Sequence, residues 1–385
     1  MLGLYESAFA QLTWGNIIML LLGAVLIYLG IAKKIEPILL VPIGFGIFMV
    51  NLPIAGIMIY DPEGLPAHGG LIEIAEGKIG VLNLIYHYGL ESEIIPLLIF
   101  LGIGTMMDFG PTIARPISLI FGASAQLGVF VVFLIAYLTG IFSANEAACI
   151  AIIGGSDGPP TVYLTVALAP VLLGPITMIA YSYMALVPIL QPPIIKLLTT
   201  KNERSLYMSP KIREVSKLEL ILFPIIVFIV ATLFVPKCAP LVGMLMFGNL
   251  LRVSGVTDRL AQAGTLMNDI LIILLGITVG ALMPAHVFFN TRTLLIFGLA
   301  ILAFVFSTAG GIIGAKVVNL FVKEKLNPII GAAGVSAIPM AARVAQKQGQ
   351  KYNPRNYLLM HALGPNMAGA IGTALVAGIF LGILG

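Results

Sequence analysis

Long runs of apolar residues alternate with short polar connections along most of the chain. The runs cover residues 14–32, 36–51, 94–107, 117–142, 171–199, 218–236, 270–283, 293–315 and 367–384. Several approach the roughly 20 residues that a helix needs to cross the hydrocarbon core of a bilayer. Backbone polar groups in that core must be bonded internally, which favours helices for runs of this length. The pattern predicts an all-α polytopic membrane protein.

Other apolar segments are interrupted by clusters of Gly and Pro. Interruptions fall within 147–170 at GGSDGPP, within 239–251, within 328–342, and within 357–384 at GPN. Irregular backbone is tolerated at membrane depth only where it faces protein or a watery cavity. We therefore expect broken, re-entrant helical hairpins of the kind found in transporters, together with a broken C-terminal helix at 357–384.

Two stretches of the chain resemble each other. LGIG at 101–104 recurs as LGIT at 275–278, and IIGGSDGPP at 152–160 has a counterpart in IIGAAGVSAIP at 329–339. This indicates an inverted repeat, a plan common among secondary transporters, whose site lies where the broken segments meet. The letters match weakly, so chance similarity between two segments rich in Gly and Ile is the competing interpretation.

The repeats suggest how the chain is organised. We expect a single integral membrane domain over 1–385, with repeat 1 at about 94–170 and repeat 2 at about 270–345. Two N-terminal helices within 14–51 precede the first repeat.

The distribution of charge predicts the orientation in the membrane. The hydrophilic loop 200–219 carries five Lys and Arg residues, and basic residues also occur at 33–34, 316–325 and 343–355. Cytoplasmic loops are enriched in Lys and Arg, so these segments are predicted to be cytoplasmic. The segment 52–80 has four acidic residues and one Lys, and we expect it outside.

Composition excludes several classes of protein. Of 385 residues only 10% are charged, against about 25% in an ordinary soluble protein, while 59% are apolar or aromatic. A soluble enzyme and a disordered chain are excluded, because so few charges cannot cover a soluble surface. A disulfide scaffold is excluded because Cys149 and Cys238 lie in or beside apolar segments. The net charge of +4 comes from basic residues at segment ends, so we expect no nucleic-acid partner.

Familiar cofactor and zinc motifs are absent from the sequence. It contains no P-loop, no H-E-x-x-H and no Cys–His spacing typical of a metal site. Four histidines are isolated in the sequence and receive no predicted role: His68, His87, His286 and His361.

Asp157 is the strongest candidate for chemistry. It lies in GGSDGPP between apolar runs, where an unpaired carboxylate is costly. It could simply cap the half-helix that starts near Pro159, but Ser or Asn would do so without burying a charge. Intramembrane ionisable groups usually mark ion paths. One carboxylate among neutral oxygens suits a monovalent hard cation, so Na⁺ or H⁺ is the expected guest.

The opposite broken segment offers uncharged oxygens. Asn327, Ser336 and Asn366 all lie at helix breaks, and Gly331 would let backbone approach an ion closely. Each alone could serve structure instead, as a cap, a turn residue or a helix-packing glycine. Opposite a buried Asp in a repeat, together they favour ligation.

Three further residues have open alternatives. Tyr183 is either a packing residue or a proton donor. Arg343 either binds a carboxylate from the cytoplasm or extends its charge from a helix end to water. Asp108, in DFGP, is better explained as a helix cap than as part of a kinase motif.

Six motifs, in order and covering nearly the whole chain from about residue 14, resemble one known family. They are GIGTMMDFGP, GGSDGPP, ALVPILQPPIIKLLTTK, PLVGMLMFGNLLR, NPIIGAAGVSAIPMAARVAQK and HALGPNMAGAIG. This resembles the β subunit of the biotin-dependent Na⁺-pumping decarboxylases, which act on oxaloacetate, methylmalonyl-CoA, glutaconyl-CoA or malonate. The resemblance implies a translocase in the cell membrane that decarboxylates carboxybiotin, consumes a proton and exports Na⁺.

The resemblance also implies roles for the candidate residues. It assigns Na⁺ coupling to Asp157 and proton delivery to Tyr183, and it brings Arg343 close to carboxybiotin. It assigns the polar Na⁺ ligands to four further positions: Asn327, Gly331, Ser336 and Asn366.

The same resemblance implies partners, because this chain lacks the family's biotin-carrying Lys flanked by Met. We expect a soluble carboxyltransferase, a biotin carrier, a small membrane-anchor subunit and a homo-oligomer of this chain. Two alternatives stay open at the level of sequence. One is a Na⁺-coupled secondary transporter, either a carboxylate symporter or a Na⁺/H⁺ antiporter, and the other is a structural membrane anchor for the soluble subunits.

Overall fold

The computed structural model describes residues 11–34, 36–53, 56–61, 65–209, 213–285 and 291–385. These ranges contain helices and no strand. The helices are α1 Trp14–Ile31, α2 Pro37–Asn51, α3 Leu71–Ala75, α4 Val81–Glu91, α5 Ile94–Met106, α6 Gly110–Ala114, α7 Ser118–Leu138, α8 Ala144–Gly155, α9 Gly158–Leu168, α10 Leu173–Leu198, α11 Lys201–Ser205, α12 Lys217–Phe234, α13 Ala239–Val253, α14 Asp258–Ala281, α15 Thr291–Phe321, the 3₁₀ segment Pro328–Gly334, α16 Met340–Tyr352 and α17 Leu359–Leu384.

Six of these helices are long and apolar enough to cross a bilayer, namely α1, α7, α12, α14, α15 and α17. Two bent pairs raise the number to as many as eight: α4 with α5, bent by 62°, and Pro170–Tyr183 with Leu186–Leu198, bent by 64°. The prediction of an all-α polytopic membrane protein is confirmed. The α4 half of the first pair was not among the predicted segments, because its sequence is interrupted by polar residues.

Polar caps explain where several helices begin. Thr13, Ser143 and Ser216 each accept a hydrogen bond from the backbone N–H three residues later, and the side chain at that third position bonds back to the cap. This capping box satisfies N–H groups that lack a partner inside the helix. These capping boxes therefore mark the points where a polar connection ends and an apolar helix begins.

The predicted break in the C-terminal helix is wrong. Helix α17 runs without interruption from Leu359 to Leu384, with Pro365 inside it. Proline removes one backbone hydrogen bond, which can kink a helix. Here 72% of the apolar window of α17 is buried inside the protein, so packing on all sides keeps the helix continuous.

Helices α2 and α14 pack backbone to backbone through a pair of glycines. A Cβ at Gly46 would lie 2.2 Å from the carbonyl oxygen of Ile277, and a Cβ at Gly280 would lie 2.2 Å from that of Ile43. No larger side chain fits at either position. Small residues permit such close approach between membrane helices.

Helices α5 and α13 repeat this arrangement. A Cβ at Gly104 would lie 2.1 Å from the carbonyl oxygen of Leu245, and a Cβ at Gly248 would lie 2.0 Å from that of Leu101. In both interfaces, each glycine contacts the carbonyl three positions before the glycine of the facing helix. Two interfaces built to one pattern support an internal repeat.

The interfaces bear on the register of the predicted repeat. If α5 corresponds to α14, as the LGIG and LGIT motifs indicate, the contacts pair Gly104 with Gly280, whereas the motifs alone pair Gly102 with Gly276. The correspondence further includes α2 and α13, which lie outside the predicted bounds of 94–170 and 270–345. Glycine-rich helices offer several near-equivalent alignments, and only the contacts choose between them.

The two ends of the bundle differ in charge. Contacts gather the loop between α10 and α12, the end of α15 and the end of α16 at one end, which we call the basic end: Lys316 bonds the carbonyl of Leu198, and Asn353 bonds that of Ser205. Of the Lys and Arg residues that the structure describes, only Lys78, Lys237 and Arg292 lie at the opposite end. By the positive-inside rule the basic end is predicted to be cytoplasmic.

Candidate ion-coupling site

Two broken hairpins enter the bundle from opposite ends and meet at their tips. The first consists of α8 and α9, which join at Ser156 and Asp157. The second consists of the 3₁₀ segment and α16, which join at residues 335–339. The backbone N–H of Ser336 donates a 2.7 Å hydrogen bond to the carbonyl oxygen of Gly155. The tips therefore contact each other directly.

Asp157 lies at this junction and is only 5% exposed. Its Oδ2 accepts a 2.7 Å hydrogen bond from Ser336 Oγ. It occupies the N-cap position of α9, yet its carboxylate makes no capping bond. The alternative that Asp157 serves only as a cap is therefore not supported.

Asp157 also lacks a charged partner in the part of the chain that the structure describes. Within the described ranges, no Lys, Arg or His forms an ion pair with it. An ionised carboxylate can accept about four hydrogen bonds and is costly to bury unpaired. A small cation or a proton would neutralise the Asp157 carboxylate in place of a basic side chain.

Ser156 is a member of the site that sequence reasoning did not assign. Its backbone is left-handed, with φ of 55°, and its hydroxyl is buried without a hydrogen-bond partner among the described residues. A non-glycine residue in this region is uncommon and concentrates at functional sites. The strained turn directs the neighbouring Asp157 toward the second hairpin.

Asn366, on α17, lies beside the second tip. Its Nδ2 donates to the carbonyl oxygens of Ala333, at 3.1 Å, and Val335, at 2.7 Å. Its Oδ1 is buried and has no partner within the described part of the chain. With both amide hydrogens engaged, this oxygen is available as a ligand. Asp157, Ser336 and Asn366 are the predicted residues that the structure brings to the junction.

Asn327 and Gly331 make other contacts. Asn327 Nδ2 donates to the carbonyls of Arg204 and Leu206, and its Oδ1 accepts from the N–H of Ile329, so it anchors the base of the second hairpin. Gly331 meets α15, where a Cβ would lie 2.2 Å from the carbonyl oxygen of Gly311. Both contacts match the structural alternatives stated for these residues.

The tyrosine beside the first tip is Tyr181 rather than Tyr183. Tyr183 donates a 2.6 Å hydrogen bond to the carbonyl of Phe297 on α15. The ring of Tyr181 covers Gly158, where a Cβ would lie 2.2 Å from Cε1 and 2.4 Å from the hydroxyl oxygen. Only glycine fits between this ring and the start of α9.

Arg343 lies on α16 near the basic end and is exposed. The positive charge of Arg343 interacts with the carboxyl group of Glu36, the residue before α2. Burial raises the pKa of the Glu36 carboxyl, and the nearby Arg343 guanidinium partly opposes that rise. Arg343 can therefore meet a solute that enters from the basic end.

Two glutamines near the hairpins were also missed. Gln126, on α7, donates to Thr373 Oγ1, and Gln191, on α10, donates to the carbonyl of Ala332 in the 3₁₀ segment. Both are buried, and each lies within or beside an apolar run. A polar side chain inside such a run is the signal that could have found them.

This architecture defines a class of protein. A helical membrane protein whose re-entrant hairpins meet at a buried, unpaired acid has the design of an ion-coupled transporter or pump. A family model narrows that class: the Na⁺-transporting oxaloacetate decarboxylase beta subunit model matches residues 15–384, and the chain belongs to this family. It is thus a membrane subunit of a Na⁺-translocating decarboxylase, and the alternative of an independent secondary transporter is not supported.

Individual relatives match over almost their full lengths. The chain is 51% identical to methylmalonyl-CoA decarboxylase subunit beta of Propionigenium modestum, over 99% of this chain and 98% of the relative. It is 47% identical to glutaconyl-CoA decarboxylase subunit beta of Acidaminococcus fermentans, over 99% and 96%. It is 45% identical to oxaloacetate decarboxylase beta chain 2 of Salmonella typhi, over 95% and 94%.

Proposed function

We propose that this chain decarboxylates carboxybiotin presented by a partner subunit and couples that step to Na⁺ export at Asp157. The observation that carries the proposal is the hydrogen bond from Ser336 Oγ to Asp157 Oδ2, at the junction of two hairpins that enter from opposite ends. A group held there can be reached from either side by movement of the hairpins, as alternating access requires.

The donor set suits Na⁺ as the transported ion. Asp157 supplies one negative charge, Ser336 a hydroxyl oxygen, and Asn366 an amide oxygen without another partner among the described residues. Ser156 offers a second unpartnered hydroxyl within the same ranges. Hard cations prefer oxygen ligands, and one carboxylate balances one monovalent charge. We assign Asn327 and Gly331 to holding the second hairpin in position instead.

Competition between Na⁺ and H⁺ on one carboxylate provides the coupling. Protonation removes the charge of Asp157, and the remaining neutral oxygens hold a cation far less strongly. Decarboxylation breaks the bond between the biotin nitrogen and the carboxyl carbon, releases CO₂ and leaves the electron pair on nitrogen, which takes up a proton. Passage of protons through Asp157 therefore links each turnover to displacement of Na⁺.

Arg343 is proposed to bind the carboxyl group of carboxybiotin. A guanidinium forms charge-assisted hydrogen bonds with a carboxylate, and Arg343 is exposed near the basic end. Tyr181 and Tyr183 are alternative proton donors. The contact of Tyr181 with the first tip favours Tyr181 in this conformation.

The partners are proposed to be a soluble carboxyltransferase, a biotin carrier and a small membrane-anchor subunit, around a homo-oligomer of this chain in the cell membrane. Relatives named for three different acids or acyl-CoA esters are 45–51% identical to the chain over nearly its whole length. A step shared by all three must not depend on the acid. The carboxyltransferase is therefore proposed to choose the substrate, and this chain to receive the carboxyl group on biotin.

The direct test uses the purified chain and free carboxybiotin. We expect CO₂ release that requires Na⁺ and that falls at least tenfold in Arg343→Ala, while Arg355→Ala, a matched exposed arginine at the same end, retains it. A chain that releases no CO₂ alone or with its partners, with or without Na⁺, would reduce the subunit to a membrane anchor.

A further inference from the structure

A cluster of two imidazoles and a carboxylate lies at the end opposite Arg343. The last turn of α4, Tyr86–Glu91, is a π-helical turn that carries His87 and Glu91. His68, from the connection before α3, stacks on His87 with ring centroids 4.0 Å apart. The sequence suggested no such cluster, because His68 and His87 lie in separate segments without a recognisable spacing.

Hydrogen bonding defines which imidazole nitrogen of His87 faces the cluster. His87 Nε2 lies 3.1 Å from the carbonyl oxygen of Ala67, which can only accept, so Nε2 carries the hydrogen. In the neutral ring, Nδ1 then bears a lone pair, and Nδ1 faces Glu91 Oε2. A carbonyl that fixes the tautomer in this way is the usual outer partner of a metal-bound histidine.

The three potential ligand atoms converge. His68 Nε2 lies 3.8 Å from Glu91 Oε1, and the ligand atoms of all three residues lie within 4.8 Å of one another. Nitrogen and oxygen ligands of a tetrahedral Zn²⁺, bound at about 2.0–2.1 Å, are separated by about 3.3 Å, which is close to the present spacing. The His68 ring, now stacked on His87 with 23° between the ring planes, must turn for both lone pairs to meet one ion.

We infer that His68, His87 and Glu91 form a binding site for a divalent cation of the zinc type. Two imidazoles with one carboxylate suit Zn²⁺ rather than Na⁺, Mg²⁺ or Ca²⁺, which prefer oxygen alone. Three protein ligands leave a fourth position for water. The site is separate from the oxygen-lined junction at Asp157, which contains no imidazole among its described contacts.

Occupancy of this site would join the connection around His68 to the bent pair of α4 and α5. Glu91 lies two residues before Glu93, whose left-handed backbone, with φ of 64°, forms the bend. Metal binding should therefore stabilise the connection and the bend together. Since the cluster lies at the end opposite the basic residues, the predicted orientation exposes it outside the cell.

The test is a Zn²⁺ titration of the full chain, purified in detergent without a histidine tag and freed of metal by a chelator. We expect one Zn²⁺ per chain, and an affinity at least about tenfold lower in His87→Ala, His68→Ala and Glu91→Gln. Glu76→Gln, a nearby exposed glutamate outside the cluster, should bind as the unchanged protein does. His68→Ala lies on an exposed connection, so its effect does not depend on a change in folding.

A second readout is thermal unfolding of the same samples. Zn²⁺ should raise the Tm of the unchanged protein and of Glu76→Gln but not that of the three ligand variants, because only a metal held by the folded chain stabilises it. Absence of stoichiometric binding, or equal affinity in His68→Ala, would overturn the inference and leave only a contact between His87 and Glu91.

Discussion

Ser336 Oγ donates a 2.7 Å hydrogen bond to Asp157 Oδ2, although the two residues are 179 positions apart in the chain. Ser336 also bonds the carbonyl of Gly155 through its backbone N–H. One residue of the second hairpin thus holds both the backbone and the acid of the first. Any movement of one hairpin relative to the other must break or transfer these two bonds.

The first prediction concerns this contact. Ser336→Ala removes the hydroxyl that bonds Asp157, and a hydrogen bond to a charged group contributes about 1.5–3 kcal/mol. We expect the Na⁺ concentration for half-maximal decarboxylation to rise about tenfold or more, measured in the assembled complex. Ser182→Ala on α10, where the hydroxyl contacts Met178 Sδ, is the matched control and should leave that concentration unchanged. Equal Na⁺ dependence in both variants would contradict the proposed ligand role.

The second prediction tests packing at Gly331. A Cβ in Gly331→Ala would lie 2.2 Å from the carbonyl oxygen of Gly311, so the hairpin must move away from α15. Overpacking of this kind costs about 1–3 kcal/mol, and we expect a lower Tm in detergent. Gly298→Ala lies on α15 with open space around the added Cβ and should leave the Tm unchanged or slightly higher. An unchanged Tm for Gly331→Ala, with Na⁺ dependence lost, would restore Gly331 as a ligand.

The third prediction concerns the base of the second hairpin. Asn327→Ala removes two hydrogen bonds to the carbonyls of Arg204 and Leu206, so the segment that follows α11 should loosen. We expect trypsin to cleave between residues 200 and 217 severalfold faster than in the unchanged protein. Asn202→Ala, exposed in the same segment, provides the control and should be cleaved at the original rate. The same slow cleavage in both variants would exclude the anchoring role.

The fourth prediction is a pH dependence at Glu203. Burial raises the pKa of its carboxyl, but hydrogen bonds from Thr200 and the ammonium of Lys316 lower it more, so the net shift is downward. A lowered folded pKa stabilises the protein above the unfolded value of about 4.3, and that stability is lost as pH falls through the folded pKa. The Tm difference between the unchanged protein and Glu203→Gln should be constant from about pH 8 to 5 and shrink progressively as the pH falls below about 4.3 and through the lowered folded pKa.

A matched control accompanies the pH series. Glu214→Gln removes an exposed carboxylate from the same loop and should show little Tm difference at any pH. A difference for Glu203→Gln that persisted undiminished to pH 3 would show that the carboxylate charge is not the cause.

Sequence reasoning predicted the parts of the site that are energetically costly to place in a membrane. A charged residue inside an apolar run is rare because it is costly to bury, so hydropathy identifies Asp157. The Gly and Pro clusters identify the two opposed breaks. Ser336 followed because it lies at a break between two helical segments. Asn366 was chosen because a break was also expected at GPN, where the structure has a continuous helix. These predictions needed only hydropathy and the positions of Gly and Pro.

Other features depend on the rotation of each helix about its axis and on helix–helix packing, which cannot be read from the sequence. Tyr181 and Tyr183 lie about 160° apart around one helix, so either could face the hairpin until the rotation of α10 is known. The continuity of α17 through Pro365 depends on burial supplied by neighbouring helices. The register of the repeat depends on which glycines meet, and several were compatible with the sequence.

The account rests on Asp157 as the shared site of Na⁺ and H⁺, and one measurement tests it most directly. The assembled complex is reconstituted in proteoliposomes, and ²²Na⁺ uptake and CO₂ release are measured together for Asp157→Asn and for Asp108→Asn. Asp108, which accepts a hydrogen bond from the N–H of Gly110, is the control. We predict that Asp157→Asn abolishes Na⁺ uptake and Na⁺-stimulated CO₂ release while Asp108→Asn retains both; near-normal Na⁺ uptake coupled to decarboxylation in Asp157→Asn would contradict the account.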